Sequence, residues 1–158
     1  MTKKLILMRH GEAEIGAGYQ QDFERQLTTS GILKLERLNM VLVERLFQID
    51  LLLISPSQRT LETAKIITKD LNIGAQQTEA SIYESSVDNL LDLINKLPEQ
   101  YQEVMVVGHN PSLTSLLAYL TGDFNLSLLP GMMAILSFDL PEWELLSKGT
   151  GQLNEVLQ

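Results

Sequence analysis

The sequence predicts an α/β fold: a mainly parallel central sheet with helices on both faces and one antiparallel edge strand. Three observations lead there. Unbroken apolar runs at Leu5–Met8, in "DLLLISP" and in "EVMVVG" read as strands buried on both faces. Segments with apolar residues at helical spacing separate them, as helical crossovers of a parallel sheet require. The tail, "MAILSFDL" then "WELLSKG", reads as a hairpin with Asp139–Glu142 as its turn, which supplies the antiparallel strand.

The elements follow in chain order. Lys4 and Arg9 bound the first strand. Between Thr28 and Phe47 the period changes: Ile32, Leu35, Leu38, Leu42 and Leu46 share one helical stripe, and Lys34, Glu36, Arg37, Glu44 and Arg45 fill the other face. Thr28 or Thr29 caps this helix. Pro56 stops the second strand. "SQRTLETAKIITKDL" is the next helix, with Ala64, Ile67 and Leu71 on its stripe, and "NIGAQQTEA" is a turn and a short strand. Val87, Leu90, Leu91, Ile94 and Leu97 form an amphipathic helix before Pro98. "NPSLTSLLAYLTG" is a helix with Asn110 as cap, Pro111 in its first turn and Gly122 as stop. "GAGYQQ" reads as a flexible loop, and the Met132–Met133 pair as core packing or loop cover.

The 158 residues suit a single domain spanning 1–158. Hydrophobic residues are 44% and charged residues 20%, which places the chain among globular proteins. No apolar run reaches the roughly 20 residues that cross a bilayer. The start, "MTKKLILMRH", lacks the long apolar region and cleavage site of a signal peptide. With no cysteine, disulfide and thiolate chemistry are excluded, and a cytoplasmic location is expected. Two histidines without cysteine make a poor metal site, so no metal or other cofactor is expected. A net charge of −8 repels nucleic acid and anionic membranes, and neither is an expected partner. An anionic substrate then needs a local cluster of cations. Of the five arginines, Arg37 and Arg45 belong to a solvated helix face, whereas Arg9, Arg25 and Arg59 lie at or near loops.

In open α/β sheets, ligands bind beyond the carboxyl ends of the strands. The first strand exit carries Arg9, His10 and Gly11. The second carries Ser55 to Arg59, and the third Gly108, His109 and Asn110. Both histidines and two of the loop arginines therefore collect at one end of the sheet. Each exit leads toward a helix start, where free N–H groups favour an anion. Guanidinium forks match phosphate oxygens. An imidazole beside phosphorus attacks it directly when its other nitrogen is held, and a second imidazole bonds the equatorial oxygens. Gly11, without a side chain, lets the backbone approach a phosphoryl group. Glu84, in the polar "SIYESSVDN" loop, is the candidate acid, provided burial raises its pKa. Ser57 caps a helix in this reading.

"LILMRHGEAE" resembles the N-terminal Arg-His-Gly motif of the histidine phosphatase superfamily. "LTTSG", "SPSQRTLETA" and "VVGHNPSL" resemble its later motifs in the same order, across residues 4 to 120. The short chain and "RQLTTSG" look most like the SixA-type phosphohistidine phosphatase branch. The resemblance implies a phosphoglycerate mutase-like fold and a two-step reaction without metal. It implies His10 as the transiently phosphorylated nucleophile, Arg9 and Arg59 as the grip on the phosphoryl oxygens, and His109 completing the pocket. Arg25 matches a basic position before "LTT", and Glu84 falls where larger members carry the proton donor.

Each residue has a plainer reading. His10 and His109 could bond a strand end or cap a helix, Arg9 could pair with Glu12 or Glu14, and Arg25 with Asp22 or Glu24. Arg59, in the first turn of a helix, opposes the dipole and so favours an anion beside it. The preferred substrate is phosphohistidine on a signalling protein. The alternative is a small phosphorylated metabolite with Glu84 as acid, and a further alternative is a non-catalytic phosphate-sensing domain. The segments 15–26 and 124–133 are expected to border the pocket.

Overall fold

A computed structural model describes residues 2–16 and 18–158. Its strands are β1 (Thr2–Arg9), β2 (Gln48–Ile54), β3 (Asn72–Thr78), β4 (Glu103–Gly108), β5 (Met133–Asp139) and β6 (Gln152–Leu157). Its helices are α1 (Tyr19–Phe23), α2 (Thr29–Glu44), α3 (Gln58–Ile67), α4 (Val87–Asn95) and α5 (Ser112–Thr121). The strands form one sheet in the order β3-β2-β4-β1-β5-β6. The first four in that order run parallel, and β5 is antiparallel to both β1 and β6. The mainly parallel α/β sheet with an antiparallel edge pair is the predicted class.

Alternation along the central strands divides the core into two layers. Ile6, Met8, Leu52 and Met105 pack with Leu35, Leu38 and Leu42 of α2 and Ala64 and Ile67 of α3. Leu5, Leu7, Leu53 and Val106 face the other way, toward Leu90 and Ile94 of α4 and Leu113, Leu116 and Leu120 of α5. The apolar runs are unbroken because both faces are covered. Thr28 caps α2, its Oγ1 accepting from the Gly31 N–H at 2.9 Å. Ser57 occupies the cap position of α3, but its hydroxyl meets Thr60 Oγ1 at 2.6 Å instead of a backbone N–H. Gly122 ends α5 at φ 78°. Met133 is buried in the core and Met132 packs against it.

Three expectations are corrected. "WELLSKG" is not a strand. Trp143 begins a single 3-10 turn and plugs the α4/α5 side of the core, its Nε1–H donating to Tyr101 O at 2.7 Å. Its ring also lies 5.2 Å from the buried Lys3 ammonium, which pairs with Glu99 at 2.7 Å. The returning strand is β6. The "GAGYQQ" stretch, of which Ala17 lies outside the described residues, is not all loop, since α1 begins at Tyr19. Asn110 sits one residue before the Pro111 cap position of α5. Its Oδ1 still accepts from the Thr114 N–H and hydroxyl. Among the described residues no helix is long and apolar enough to cross a membrane.

Candidate active site

Parallel register assembles the site. Arg9 lies opposite Gly108 at the ends of β1 and β4, so His10 and His109 leave the sheet side by side. The His10 N–H donates to Gly108 O at 3.1 Å, and the Ser55 N–H to Val107 O at 3.1 Å, which locks the three exits together. The imidazole centroids are 5.4 Å apart. Both rings are buried at 8% exposure, as is Arg59 at 6%. Arg59 reaches them from the first turn of α3, so its backbone position is set by the stop at Pro56 and the helix that follows.

A cavity of about 330 Å³ opens here. Arg9, His10, Arg59 and His109 line it, with Arg25, Asp22, Tyr83, Glu84 and Asn110 around them. A larger cavity, about 640 Å³, lies between α2 and α3 and holds neither histidine nor arginine.

The hydrogen bonds fix both tautomers. A carbonyl oxygen only accepts, so the 2.7 Å contact of His10 Nδ1 with Gly11 O places the proton on Nδ1. Nε2 keeps its lone pair and faces Arg59, whose Nε–H donates to it at 3.3 Å. Arg59 Nη2 donates to His109 Nδ1 at 3.3 Å, so the His109 proton sits on Nε2 and points at Ser55 Oγ, 2.7 Å away. Burial pushes His10 down to about 4. The Gly11 carbonyl opposes this, and the Arg59, Arg9 and Arg25 charges reinforce it. His109 is pushed down to about 3 by burial, then by Arg59 and His10. Both rings are therefore neutral near pH 7.

Asp22 and Tyr83 were not foreseen. Asp22, at 37% side-chain exposure, meets Arg59 Nη2 at 3.3 Å, the Tyr83 hydroxyl at 2.6 Å and Arg25 Nη1 at 3.2 Å, while its carbonyl accepts from Arg59 Nη1 at 2.6 Å. Burial raises its carboxyl, but the Tyr83 and Arg25 hydrogen bonds and the Arg59 charge outweigh that and hold it below the usual value. The Tyr83 ring stands edge-on to His109, centroids 5.5 Å apart. The sequence offered one signal for Asp22, its position three residues before Arg25, and that spacing reads equally as a surface pair.

The other expected residues divide. Arg25 both pairs with Asp22 and lines the cavity. Arg9 pairs with neither Glu12 nor Glu14: its Nη1 donates to Leu128 O at 3.0 Å, and its buried Nε has no acceptor among the described residues. Glu84 lines the cavity but is exposed, in left-handed backbone at φ 51°. Gly11 does not line it. Its N–H is spent on Thr63 Oγ1 at 3.0 Å, and a Cβ there would come within 2.8 Å of Leu35 Cδ1. The bare backbone makes room for the core, not for an anion. Segment 15–26 borders the cavity through Asp22 and Arg25, whereas no residue of segment 124–133 lines it; the Leu128 carbonyl accepts the Arg9 hydrogen bond without being part of the lining.

A profile of the histidine phosphatase superfamily (branch 1) matches residues 5–87, more than half of the chain. The chain belongs to that superfamily. No curated protein matches the sequence. Among solved structures, a candidate SixA phosphohistidine phosphatase from Nakamurella multipartitia superposes with a TM-score of 0.83 at 22% identity, covering 100% of this chain and 96% of that one. The protein histidine phosphatase SixA in complex with tungstate gives 0.82 at 24% identity, with 98% and 96% covered. A phosphoserine phosphatase from Entamoeba histolytica, bound to 3-phosphoglyceric acid, gives 0.68 at 16% identity, with 98% and 96% covered. At these identities the likeness is one of fold.

Proposed function

We propose that this chain is a phosphatase working through a phosphorylated intermediate on His10, and that its substrate is phosphohistidine carried on a protein. The observation that carries the reading is the His10 imidazole, neutral, anchored through Nδ1–H and presenting Nε2 to a buried guanidinium.

In the first step the Nε2 lone pair attacks phosphorus and the bond to the leaving group breaks. Arg9, Arg25 and Arg59 hold the phosphoryl oxygens. A bound dianion favours the charged ring against the burial, and then the Arg59 charge, that depress His109. The ring then takes a proton from solvent at Nδ1 and keeps it there as the donor of a hydrogen bond to an equatorial oxygen. In the second step water attacks phosphorus, the P–N bond to His10 breaks, and phosphate leaves.

The leaving group decides the substrate. A phosphate ester of a poor leaving group needs a proton donor. Glu84 stands exposed at the rim, and Asp22 is held ionised by its partners. Phosphohistidine needs no donor, because its ring leaves already protonated on the far nitrogen. The metabolite reading keeps one observation in its favour, that Glu84 lines the cavity.

Turnover of p-nitrophenyl phosphate with EDTA present, and acid-labile labelling of the protein from a phosphorylated substrate, test the mechanism. His10→Ala is expected to abolish both. Undiminished turnover by that variant would end the proposal. Tungstate, which SixA binds in its solved complex, is expected to inhibit competitively.

A further inference from the structure

Asp22 is a carboxylate placed among cations in a cavity built for an anion, and the reaction above gives it no task. It is not buried away from substrate. Its side chain is 37% exposed and lines the same cavity as both histidines. Arg59 bridges it to the nucleophile: one edge of the guanidinium donates to His10 Nε2 and another to Asp22 Oδ2, each at 3.3 Å. The carboxylate therefore stands one guanidinium and two hydrogen bonds from the attacking lone pair.

We propose that Asp22 receives the leaving group, accepting the N–H on the far nitrogen of a phosphorylated imidazole, and so selects N-phosphorylated substrates over phosphate esters. The inference rests on the phosphohistidine reading and adds a residue to it. As His10 Nε2 bonds to phosphorus, the P–N bond of the substrate breaks and its electron pair stays on the departing nitrogen. The proton on the far nitrogen does not move. The ring leaves as neutral imidazole, and Asp22 stays ionised throughout. By accepting that hydrogen bond, the carboxylate favours the protonated ring, whose P–N bond is the weaker one. Each carboxylate oxygen accepts more than one hydrogen bond, so Asp22 serves the ring without releasing Arg25 or Tyr83. An ester presents no such N–H, and one with a second acidic group meets repulsion. This also accounts for a cavity that keeps a negative charge beside its arginines.

The test compares kcat/KM for phosphoimidazole and p-nitrophenyl phosphate in the wild type and in Asp22→Asn, which is isosteric. Tungstate binding by calorimetry confirms that the variant keeps its arginines in place. The expected result is that the phosphoimidazole-to-ester ratio falls about tenfold or more, the scale of removing the charge from the acceptor of a hydrogen bond to a cationic ring. The alkaline fall of phosphoimidazole turnover also moves to lower pH in the variant. An equal loss on both substrates, or an unchanged pH profile, overturns the proposal and leaves Asp22 as a brace for Arg59. A variant that no longer binds tungstate overturns it in the same way. If the wild type hydrolyses the ester but not phosphoimidazole, the phosphohistidine reading itself fails, a result distinct from the other two.

Discussion

Arg59 makes one site out of two histidines. Its Nε faces His10, its Nη2 faces both His109 and Asp22, and its Nη1 is anchored on the Asp22 carbonyl. A lysine carries the same charge but only one nitrogen, and cannot meet these groups at once. Arg59→Lys is expected to lower kcat/KM by about 100-fold or more, the scale of losing a positioned transition-state donor. Unfolding midpoints measured beside the kinetics separate this from a folding defect. His10, His109, Arg9 and Arg59 were legible in the sequence because each closes or follows a strand, or opens a helix after one. Asp22 and Tyr83 were not, because they enter from segments whose path no periodicity encodes.

At the scale of elements, α2 carries a glycine in its first turn, where alanine is ordinarily the better helix former by about 1 kcal/mol. Here the sign reverses. A Cβ on Gly31 would strike the Glu12 carbonyl oxygen, a backbone atom that no side-chain rotation moves aside. Gly31→Ala is expected to destabilise the fold by about 1–3 kcal/mol in a denaturant titration, the usual range for overpacking. An increase in stability would show that the α2 start is free to shift away from the β1 exit. The misread tail belongs to the same scale. "WELLSKG" has enough apolar residues for a strand, but Trp143 is consumed as a core plug. The true edge strand, β6, is half polar, and its residue types do not follow its faces: Glu155 lies on the half-buried side and Val156 on the exposed one, so no hydrophobic alternation revealed it.

For the whole molecule, the two buried histidines tie stability to pH. Their folded-state values, about 4 and about 3, lie below the ordinary 6.5, so the unfolded chain binds more protons in acid. The stability they contribute is full above pH 6.5 and is lost as pH falls toward 4 and then 3. Thermal melts from pH 7 to 4 are expected to show this loss, and His109→Gln to reduce it; an acid limb unchanged in the variant would assign the effect elsewhere. The sequence by itself determined the parallel sheet, its two-faced core and the gathering of both imidazoles at one edge, because burial sets periodicity and parallel strands share a carboxyl end. Only the tertiary structure decided which nitrogen of each ring bears its proton, that Gly11 serves the core, that Glu84 faces solvent and that Asp22 joins the arginines. Those depend on contacts between segments far apart in the chain, and local spacing carries no record of them.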